Sequence, residues 1–261
     1  MAASRNTLLA ELGSLSLEFT RLSQITGDPK YFDAVQRVAD NLAHAQPHTM
    51  LPGLWPILID AQGLDFEDSR FTLGGMADST YEYLPKEYLL LGGGADQYQK
   101  MYEAAVDSVE ANLLFRPLTE KNEDILFSGS ARATAPNVVS LEPEGQHLSC
   151  FVGGMMGIGA KIFNRPNDLS IARKLVNGCI WAYNLMPTGL MPEIFHMATC
   201  DDKLDCPWDE KKWHDQVRQA AVKAGVVSPG NDDPSAIIQE LGLQPGLTSV
   251  KDGRYILRYR K

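Results

Sequence analysis

Apolar residues recur every three or four positions near the start of the chain, the spacing of one face of an α-helix. This stripe consists of Leu8, Leu12, Leu15, Phe19, Leu22 and Ile25. Gly27 is expected to end the helix in the left-handed conformation, and Asp28-Pro29 to cap and begin a second helix. The second helix is expected to bury Phe32, Val35, Ala39 and Leu42. The pattern therefore predicts a helical hairpin over residues 8–43.

Two further hairpins follow from the same pattern, over residues 80–114 and 148–183. Each has a turn rich in Gly, Asn or Asp between an apolar run and an amphipathic run. The turns lie too far apart for solenoid repeats of about 33–47 residues. Hairpins joined by long loops fit an α/α toroid better than a flat solenoid, although their spacing leaves both arrangements open.

Three segments hold most of the Gly, Pro, Asp and aromatic residues and are predicted to form loops or short strand pairs: 44–77, 115–146 and 187–253. Loops of this length in a compact domain usually carry function. Within the last of them, residues 200–235 are the most polar stretch and are predicted to be a surface insertion.

Composition excludes several classes of protein. The 261 residues include 24 Lys and Arg against 33 Asp and Glu, a net charge of −9 that argues against a nucleic-acid-binding function. No run reaches the ~18 apolar residues of a membrane helix. The first residues lack the apolar core of a secretory signal, so we expect neither a membrane span nor a leader in the chain as it stands.

The four cysteines, all in the second half of the chain, leave the redox compartment open. They do not form a C-x-x-C pair, and no paired histidines complete a zinc site. Free buried thiols in an intracellular protein and one or two disulfides in a secreted one both fit this pattern.

The first candidate for chemistry is Asp78, which follows a Gly-Gly turn at the start of a predicted helix. Ser79 and Glu82 fit a capping box, in which case Asp78 only favours the positive end of the helix dipole. Structural and functional roles for Asp78 are about equally supported at this stage.

The second and third candidates are His147 and Glu193. His147 opens an apolar run, where a lone histidine usually has a structural role. Glu193 lies between Pro192 and the Ile194-Phe195 pair, so burial would disfavour its charged form unless something compensates. Paired carboxylates such as Asp78 and Glu193 are what glycoside hydrolysis requires. Nearby aromatic residues would suit sugar faces, but core packing explains them equally well: Trp55, Tyr81, Tyr83 and Phe195.

The residue sequences of these segments also resemble those of a known protein family. Gly75–Leu84, His147–Phe151 with Gly153-Gly154, and Gly189–Phe195 resemble, in this order, three signature segments of glycoside hydrolase family 47, and residues 11–28 resemble a fourth. This family comprises the class I α-1,2-mannosidases of N-glycan processing, and the wording is most similar to the filamentous-fungal branch.

The resemblance implies an all-α fold, part of an (α/α)7 barrel with long loops and short β-hairpins. It implies inverting hydrolysis of terminal α-1,2-linked mannose from high-mannose N-glycans, by a monomer with bound Ca²⁺. Asp78 and Glu193 match the catalytic carboxylates, and polar positions of the substrate cavity match His147, Glu18 and Glu82. No metal ligand is assigned within the chain, because the family's calcium-binding threonine lies after the last residue.

The resemblance also implies a disulfide between Cys150 and Cys179, and Cys200–Cys206 would then be a second, local bridge. A disulfide places the full-length parent in the secretory pathway, either in an endoplasmic reticulum or Golgi membrane or secreted. Met76 stands where single-mannose-trimming members of the endoplasmic reticulum carry Arg, which favours the broader, Golgi-like or secreted type of trimming.

The ends of the chain depart from the family pattern. The family segment with the catalytic acid would precede residue 1, and an Arg-Pro-Glu segment would follow Leu257. Residues 1–261 are therefore predicted to be a single partial catalytic domain with low or no activity. The alternative from another class is a non-catalytic mannose-glycan-binding or degradation-assisting relative on the same fold. A helical scaffold without a ligand would leave the motifs unexplained.

Overall fold

The computed structural model describes residues 3–136, 138–227 and 233–256. Their helices are α1 (Leu9–Gly13), α2 (Ser16–Thr26), α3 (Lys30–Ala45), α4 (Asp78–Leu90), α5 (Asp96–Asn112), α6 (Phe151–Ile162), α7 (Pro166–Leu185), α8 (Glu210–Lys223) and α9 (Pro234–Leu241). Their strands are β1 (Thr7–Leu8), β2 (Leu58–Ile59), β3 (Arg70–Thr72), β4 (Leu114–Phe115), β5 (Phe127–Ser128), β6 (Ser130–Ala135), β7 (Val138–Glu142), β8 (Glu144–Gln146), β9 (Ile194–Met197) and β10 (Leu247–Asp252). Helices thus predominate, and the strands in the described part of the chain form small antiparallel sheets.

Contacts divide the chain into two compact units. The first unit comprises Met1–Leu113, Ser130–Glu142 and Gly154–Ala172, and the second comprises Leu114–Gly129, Pro143–Gly153 and Arg173–Lys261. Each unit is thus assembled from segments that are distant in sequence. The predicted single partial catalytic domain over 1–261 stays a prediction.

The predicted first hairpin is confirmed in the first unit, with a correction at its start. Gly27 ends α2 at a φ of +71°, and its N–H donates to the Ser23 carbonyl. The prediction of Asp28 as the N-cap was wrong by one residue, because α3 begins at Lys30 after Pro29, although the Asp28 carboxylate accepts the N–H of Lys30. The single helix predicted from Leu8 is interrupted at Ser14, which separates α1 from α2.

The apolar stripe of α2 is where the pattern was wrong. Leu15, Leu22 and Ile25 are 49%, 37% and 68% exposed, whereas Ser16 and Thr20 are the buried residues of α2. The interruption at Ser14 begins a new helix, and α2 turns a polar face towards α4. The stripe of α3 is buried as predicted at Val35, Ala39 and Leu42, whereas Phe32 is only half-buried.

The second predicted hairpin is formed by α4 and α5, joined by a turn in which Gly92 and Gly93 have φ values of +71° and +76°. These left-handed conformations are cheap only for glycine. The core of this unit includes Tyr81, Leu84, Tyr98 and Met101, and β3, β6 and β7 form its three-stranded sheet.

The third predicted hairpin corresponds to α6 and α7, with a 3-10 turn over His147–Cys150 before α6. The predicted loops contain the short strand pairs that were expected. No helix in the described residues combines the length and apolar character required to span a membrane.

The polar segment 200–235 was wrongly predicted to be a surface insertion. It contains α8, which buries Trp213, Val217 and Ala221 in the second unit. The Trp213 indole N–H donates to the Leu247 carbonyl of β10 at 2.8 Å. The prediction relied on the average polarity of the segment, which is dominated by its charged residues. A narrow apolar stripe on one helix face changes this average little, so the buried side of α8 was missed.

Candidate functional site

The sheet β10-β9-β8 of the second unit places Glu193. Strand β9 is the central strand, and its residues Phe195 and Met197, which lie on the same face of the strand, are buried. Gly145 of β8 lies opposite Phe195, and a Cβ at this position would come within 2.4 Å of the Phe195 ring. Glu193 directly precedes β9 and is buried, at 6% exposure, as the sequence predicted.

The structure brings His147 and Glu193 together. The His147 N–H donates to the Glu193 carbonyl at 3.0 Å, which extends the β8–β9 ladder by one rung. His147 is buried, and its Nε2 is hydrogen-bonded to the Tyr183 hydroxyl of α7. The rings of His147 and Tyr255 meet edge to face, with centroids 5.9 Å apart.

An arginine supplies positive charge near Glu193. Arg254 donates to both carboxylate oxygens of Asp252, and its closest contact, from Nη2, is 2.6 Å. These bonds lower the pKa of Asp252 to about 2. The pKa of Arg254 is raised mainly by Asp252, and the charge of Glu193 adds to this effect. The sequence analysis did not consider this arginine.

The predicted disulfide between Cys150 and Cys179 is confirmed, with the Cα atoms 6.0 Å apart. Cys200 and Cys206 form the second bridge, as predicted, with a Cα separation of 5.6 Å. Met191 Sδ lies 3.8 Å from Cys150 Sγ. The segment with Glu193 therefore contacts both ends of the 3-10 turn, through Met191 at Cys150 and through Glu193 at His147.

Asp78 belongs to the first unit, where it is the first residue of α4. Its N–H donates to the Gly74 carbonyl at 2.9 Å, and its carboxylate accepts the Ser79 N–H at 2.9 Å. Met76, in the turn before it, is exposed and has a φ of +74°, a conformation that costs energy for a residue with a side chain.

The proposed capping box of Ser79 and Glu82 was wrong. Helix α4 already begins at Asp78, after Ala77, and lacks a side-chain cap. Glu82 instead accepts a hydrogen bond from Lys86 at 2.6 Å. Backbone bonds within the Gly74–Ala77 turn start the helix two residues earlier than the side chains suggested.

Glu18 and Tyr83 are joined across α2 and α4, since the Tyr83 hydroxyl donates to Glu18 at 2.8 Å. Burial, and then this bond, raises the pKa of Tyr83 to about 12. The charge of Glu82 also raises this pKa, which places Glu82 in the same electrostatic environment. The structure thus groups Glu18 with Glu82, and His147 with Glu193. The convergence of Asp78 with His147 and Glu193 stays a prediction.

A polar row across β8, β9 and β10 had no clear signal in the sequence. His196 faces Glu144 on one side and Ser249 on the other, at 3.7 Å and 3.2 Å. Alternation along β9 could have suggested that His196 points away from Phe195, but its partners depend on strand register.

Comparison with known proteins decides the family. The family model described as "Glycosyl hydrolase family 47" matches residues 1–258. The chain belongs to this family. This membership confirms the family that the four sequence segments indicated.

A relative from Aspergillus niger, named probable mannosyl-oligosaccharide alpha-1,2-mannosidase 1B, is 35% identical over 74% of this chain and 37% of its own length. Mannosyl-oligosaccharide alpha-1,2-mannosidase of Penicillium citrinum is 31% identical, over 83% of this chain and 39% of that relative. The solved structure of alpha-1,2-mannosidase from Trichoderma reesei matches with a TM-score of 0.69 and 28% identity, over 79% of this chain and 41% of the other. This family 47 chain thus spans well under half the length of these relatives.

Proposed function

We propose that this chain carries part of the machinery that removes terminal α-1,2-linked mannose from high-mannose N-glycans. Family membership and the names of the relatives support the reaction class. The observation that carries the proposal is the pairing of buried Glu193 with His147, because both residues lie in family-like segments and share a backbone hydrogen bond. We further propose that the helical hairpins form part of an (α/α)7 barrel.

In the proposed mechanism, Glu193 acts as the base that activates water, and hydrolysis inverts the anomeric carbon. Inverting glycosidases keep two carboxyl groups roughly 6.5–9.5 Å apart so that a water molecule fits beside the sugar. Arg254 lies close enough to Glu193 for the charge of Glu193 to contribute to the raised pKa of Arg254. Asp78 is proposed to act at the same glycosidic bond as a further catalytic carboxylate, distinct from the general acid that the resemblance assigns to another family segment. Glu18, Glu82 and His147 are proposed to bind sugar hydroxyls.

The family's Ca²⁺ would help hold the sugar. Among the described residues there is no group of three or more His, Cys, Asp or Glu side chains that could hold a metal ion. Because Ca²⁺ takes about 6–8 oxygen ligands, these residues do not fit the ion by themselves. No step of the mechanism is therefore assigned to it.

Location and assembly are also proposals. Two disulfides within one chain suit an oxidising compartment, so we place the parent protein in the secretory pathway, either membrane-anchored or secreted. We propose that it acts as a monomer on N-glycans of glycoproteins.

The decisive experiment measures hydrolysis of Man-α-1,2-Man with Ca²⁺ present, by proton NMR of the released sugar. β-Mannose should appear first if the reaction inverts the anomeric carbon. In a version of the chain extended at both ends to the length of its relatives, Glu193→Gln and Asp78→Asn should each lower kcat by about 10²–10⁴-fold, the usual contribution of general acid–base catalysis.

The matched control is Glu67→Gln, which removes a carboxylate that is exposed in the first unit. It should leave kcat unchanged. Turnover that survives both Glu193→Gln and Asp78→Asn would contradict the assignment of these carboxylates. Binding of the disaccharide without hydrolysis, by the extended version as well as by the 261-residue chain, would favour the glycan-binding alternative.

A further inference from the structure

Helix α7 reaches both ends of the 3-10 turn that contains His147. Cys179 and Tyr183 are four residues apart, so they lie on the same face of α7, one turn from each other. Cys179 is bonded to Cys150 at the end of the turn, and the Tyr183 hydroxyl is hydrogen-bonded to His147 Nε2 at its beginning. The turn is thus attached to α7 at two points.

The same turn contacts the segment with Glu193. Met191 Sδ lies 3.8 Å from Cys150 Sγ, and the Glu193 carbonyl accepts the His147 N–H at 3.0 Å. A shift of the turn relative to α7 would therefore move the backbone from which the Glu193 side chain extends. The 3-10 turn connects α7 to Glu193 through two pairs of contacts.

The Tyr183 hydroxyl acts on a property of His147 that packing does not determine. A neutral imidazole has two tautomers, and its ring can turn about χ2 in a broad, roughly two-fold potential. A phenol hydroxyl is a stronger donor than acceptor, so the Tyr183 hydroxyl beside Nε2 favours the tautomer that carries its proton on Nδ1, and it favours one ring orientation. Ring contacts such as that with Tyr255 restrict the space of the imidazole but do not distinguish its nitrogens.

We propose that Tyr183 is a positioning residue, which fixes the tautomer and orientation of His147 and, through the His147 N–H, the backbone position of Glu193. This inference rests on the proposed function for its importance to the reaction. Its physical content, the state of the His147 ring and the His147–Glu193 backbone bond, can be measured without a glycan.

The test uses the 261-residue chain labelled with ¹⁵N-histidine, at a pH at which the imidazoles are neutral. His147 is assigned among the five histidines by its loss in His147→Asn. In the parent chain the two ring nitrogens of His147 should have the distinct shifts of a single tautomer. An even mixture of tautomers in the parent would overturn the proposal without any variant.

Tyr183→Phe removes the hydroxyl and keeps the ring. It should move both His147 nitrogen shifts towards the tautomer average, with a change of roughly fivefold in the tautomer ratio, as expected for one hydrogen bond. Hydrogen exchange of the His147 amide, which is bonded to Glu193, should accelerate by a similar factor. The shifts of His196 should stay constant, because its ring nitrogens face Ser249 and Glu144.

The matched control is Tyr255→Phe, which removes a hydroxyl from the other tyrosine ring that contacts His147. It should leave the His147 shifts and amide exchange as in the parent. Unchanged shifts in Tyr183→Phe, or equal changes in both variants, would overturn the proposal. 4-Aminophenylalanine at position 183 restores a polar hydrogen and should return the shifts towards the parental values.

These readouts separate the two proposals. If the parent chain shows one His147 tautomer that depends on Tyr183, but neither this chain nor a version extended at both ends binds or hydrolyses mannosides, the positioning role is supported and the proposed function is contradicted. If mannoside is hydrolysed and the His147 shifts do not depend on Tyr183, the proposed function stands and the positioning role is overturned.

Discussion

Glu87 is the carboxyl group most fully withdrawn from water in the first unit. It is wholly buried on α4, and the Thr20 hydroxyl of α2 donates to it at 2.5 Å. Burial raises its pKa, the bond from Thr20 opposes this, and the charge of Glu18 adds to the rise. The negative charge of Glu87 in turn contributes to the raised pKa of Tyr98 on α5. Glu87 therefore makes the stability of the α2–α4–α5 region depend on pH.

Glu87→Gln tests this dependence, because glutamine has the shape of the protonated acid. A carboxyl with a raised pKa in the folded state binds its proton more tightly there than in the unfolded chain. Its contribution to stability is complete below the unfolded-state pKa and is lost as pH rises through the folded-state pKa. We expect Glu87→Gln to be more stable than the parent at pH 8, with a difference that shrinks as the pH falls towards about 4. Urea unfolding across this pH range measures it.

The control for Glu87 is again Glu67→Gln, which removes the same charge from an exposed position. Its stability should follow the parent's pH dependence. If Glu87→Gln and Glu67→Gln gave the same pH profile, a general charge effect would explain the result and the burial argument would fail.

Two glycines in α6 differ in the space around them, so the same substitution should affect stability differently at each position. A Cβ on Gly159 would lie 2.0 Å from the Tyr102 hydroxyl oxygen and 2.1 Å from its Cζ. Tyr102 is buried and packs on Phe163, with ring centroids 5.1 Å apart, so it has little room to move. Gly154 is exposed, and a Cβ there would have no other atom within 4 Å.

Alanine at the two positions should therefore have opposite effects. Gly154→Ala should stabilise the chain by about 0.5–1 kcal/mol, the difference in helix propensity. Gly159→Ala should destabilise it by about 1–3 kcal/mol, the usual cost of overpacking. The free energy of unfolding in urea gives both values. A stabilising Gly159→Ala would mean that Tyr102 does not pack against α6 as described.

The two disulfides differ in the length of chain they close. Cys150–Cys179 spans 29 residues and Cys200–Cys206 spans 6. In the loop-entropy model, replacing the first pair by alanine should cost about 3.5 kcal/mol and the second about 2 kcal/mol. Thermal unfolding of the two double variants under oxidising conditions tests this order. A larger loss for the short bridge would show that native contacts of the bridge, rather than loop closure, dominate its effect.

At the scale of the whole molecule, ligand binding can test whether residues from both units contribute to sugar binding. Asp78 belongs to the first unit and Glu193 to the second, yet the proposed function assigns both to the same bond. A ligand that binds only the folded chain at 100 times its Kd should add about 2.7 kcal/mol of stability. For a chain of this size this corresponds to an increase in Tm on the order of 5–10 °C.

We expect Man-α-1,2-Man with Ca²⁺ to raise the Tm in this way, and cellobiose to leave it unchanged. Asp78→Asn and Glu193→Gln should each reduce the increase, although the two substitutions lie in different units. Differential scanning calorimetry measures this. An increase that depends on Glu193 alone would argue that Asp78 does not contribute to sugar binding.

Several features were predictable from local sequence. The end of α2 at Gly27 and the turn at Gly92-Gly93 follow from left-handed backbone conformations that glycine adopts at low cost. The family resemblance of the segments with Asp78, His147 and Glu193 also came from sequence, and it implied the Cys150–Cys179 bridge. These inferences depend on neighbouring residues or on ordered motifs, both of which a linear sequence contains.

Tertiary structure alone decided what each face of an element contacts. The periodicity of α2 correctly indicated a helix but not which face is buried, because burial depends on the helices beside it. The partners of Glu193, the bond between His147 and Tyr183, and the buried apolar stripe of α8 likewise depend on residues distant in sequence. Sequence determined some helix ends, such as that of α2 at Gly27, and which residues carry the family motif. Packing determined which residues these helices and motif residues contact. Residues that are distant in sequence come together only in the folded chain, so no local pattern specifies such contacts.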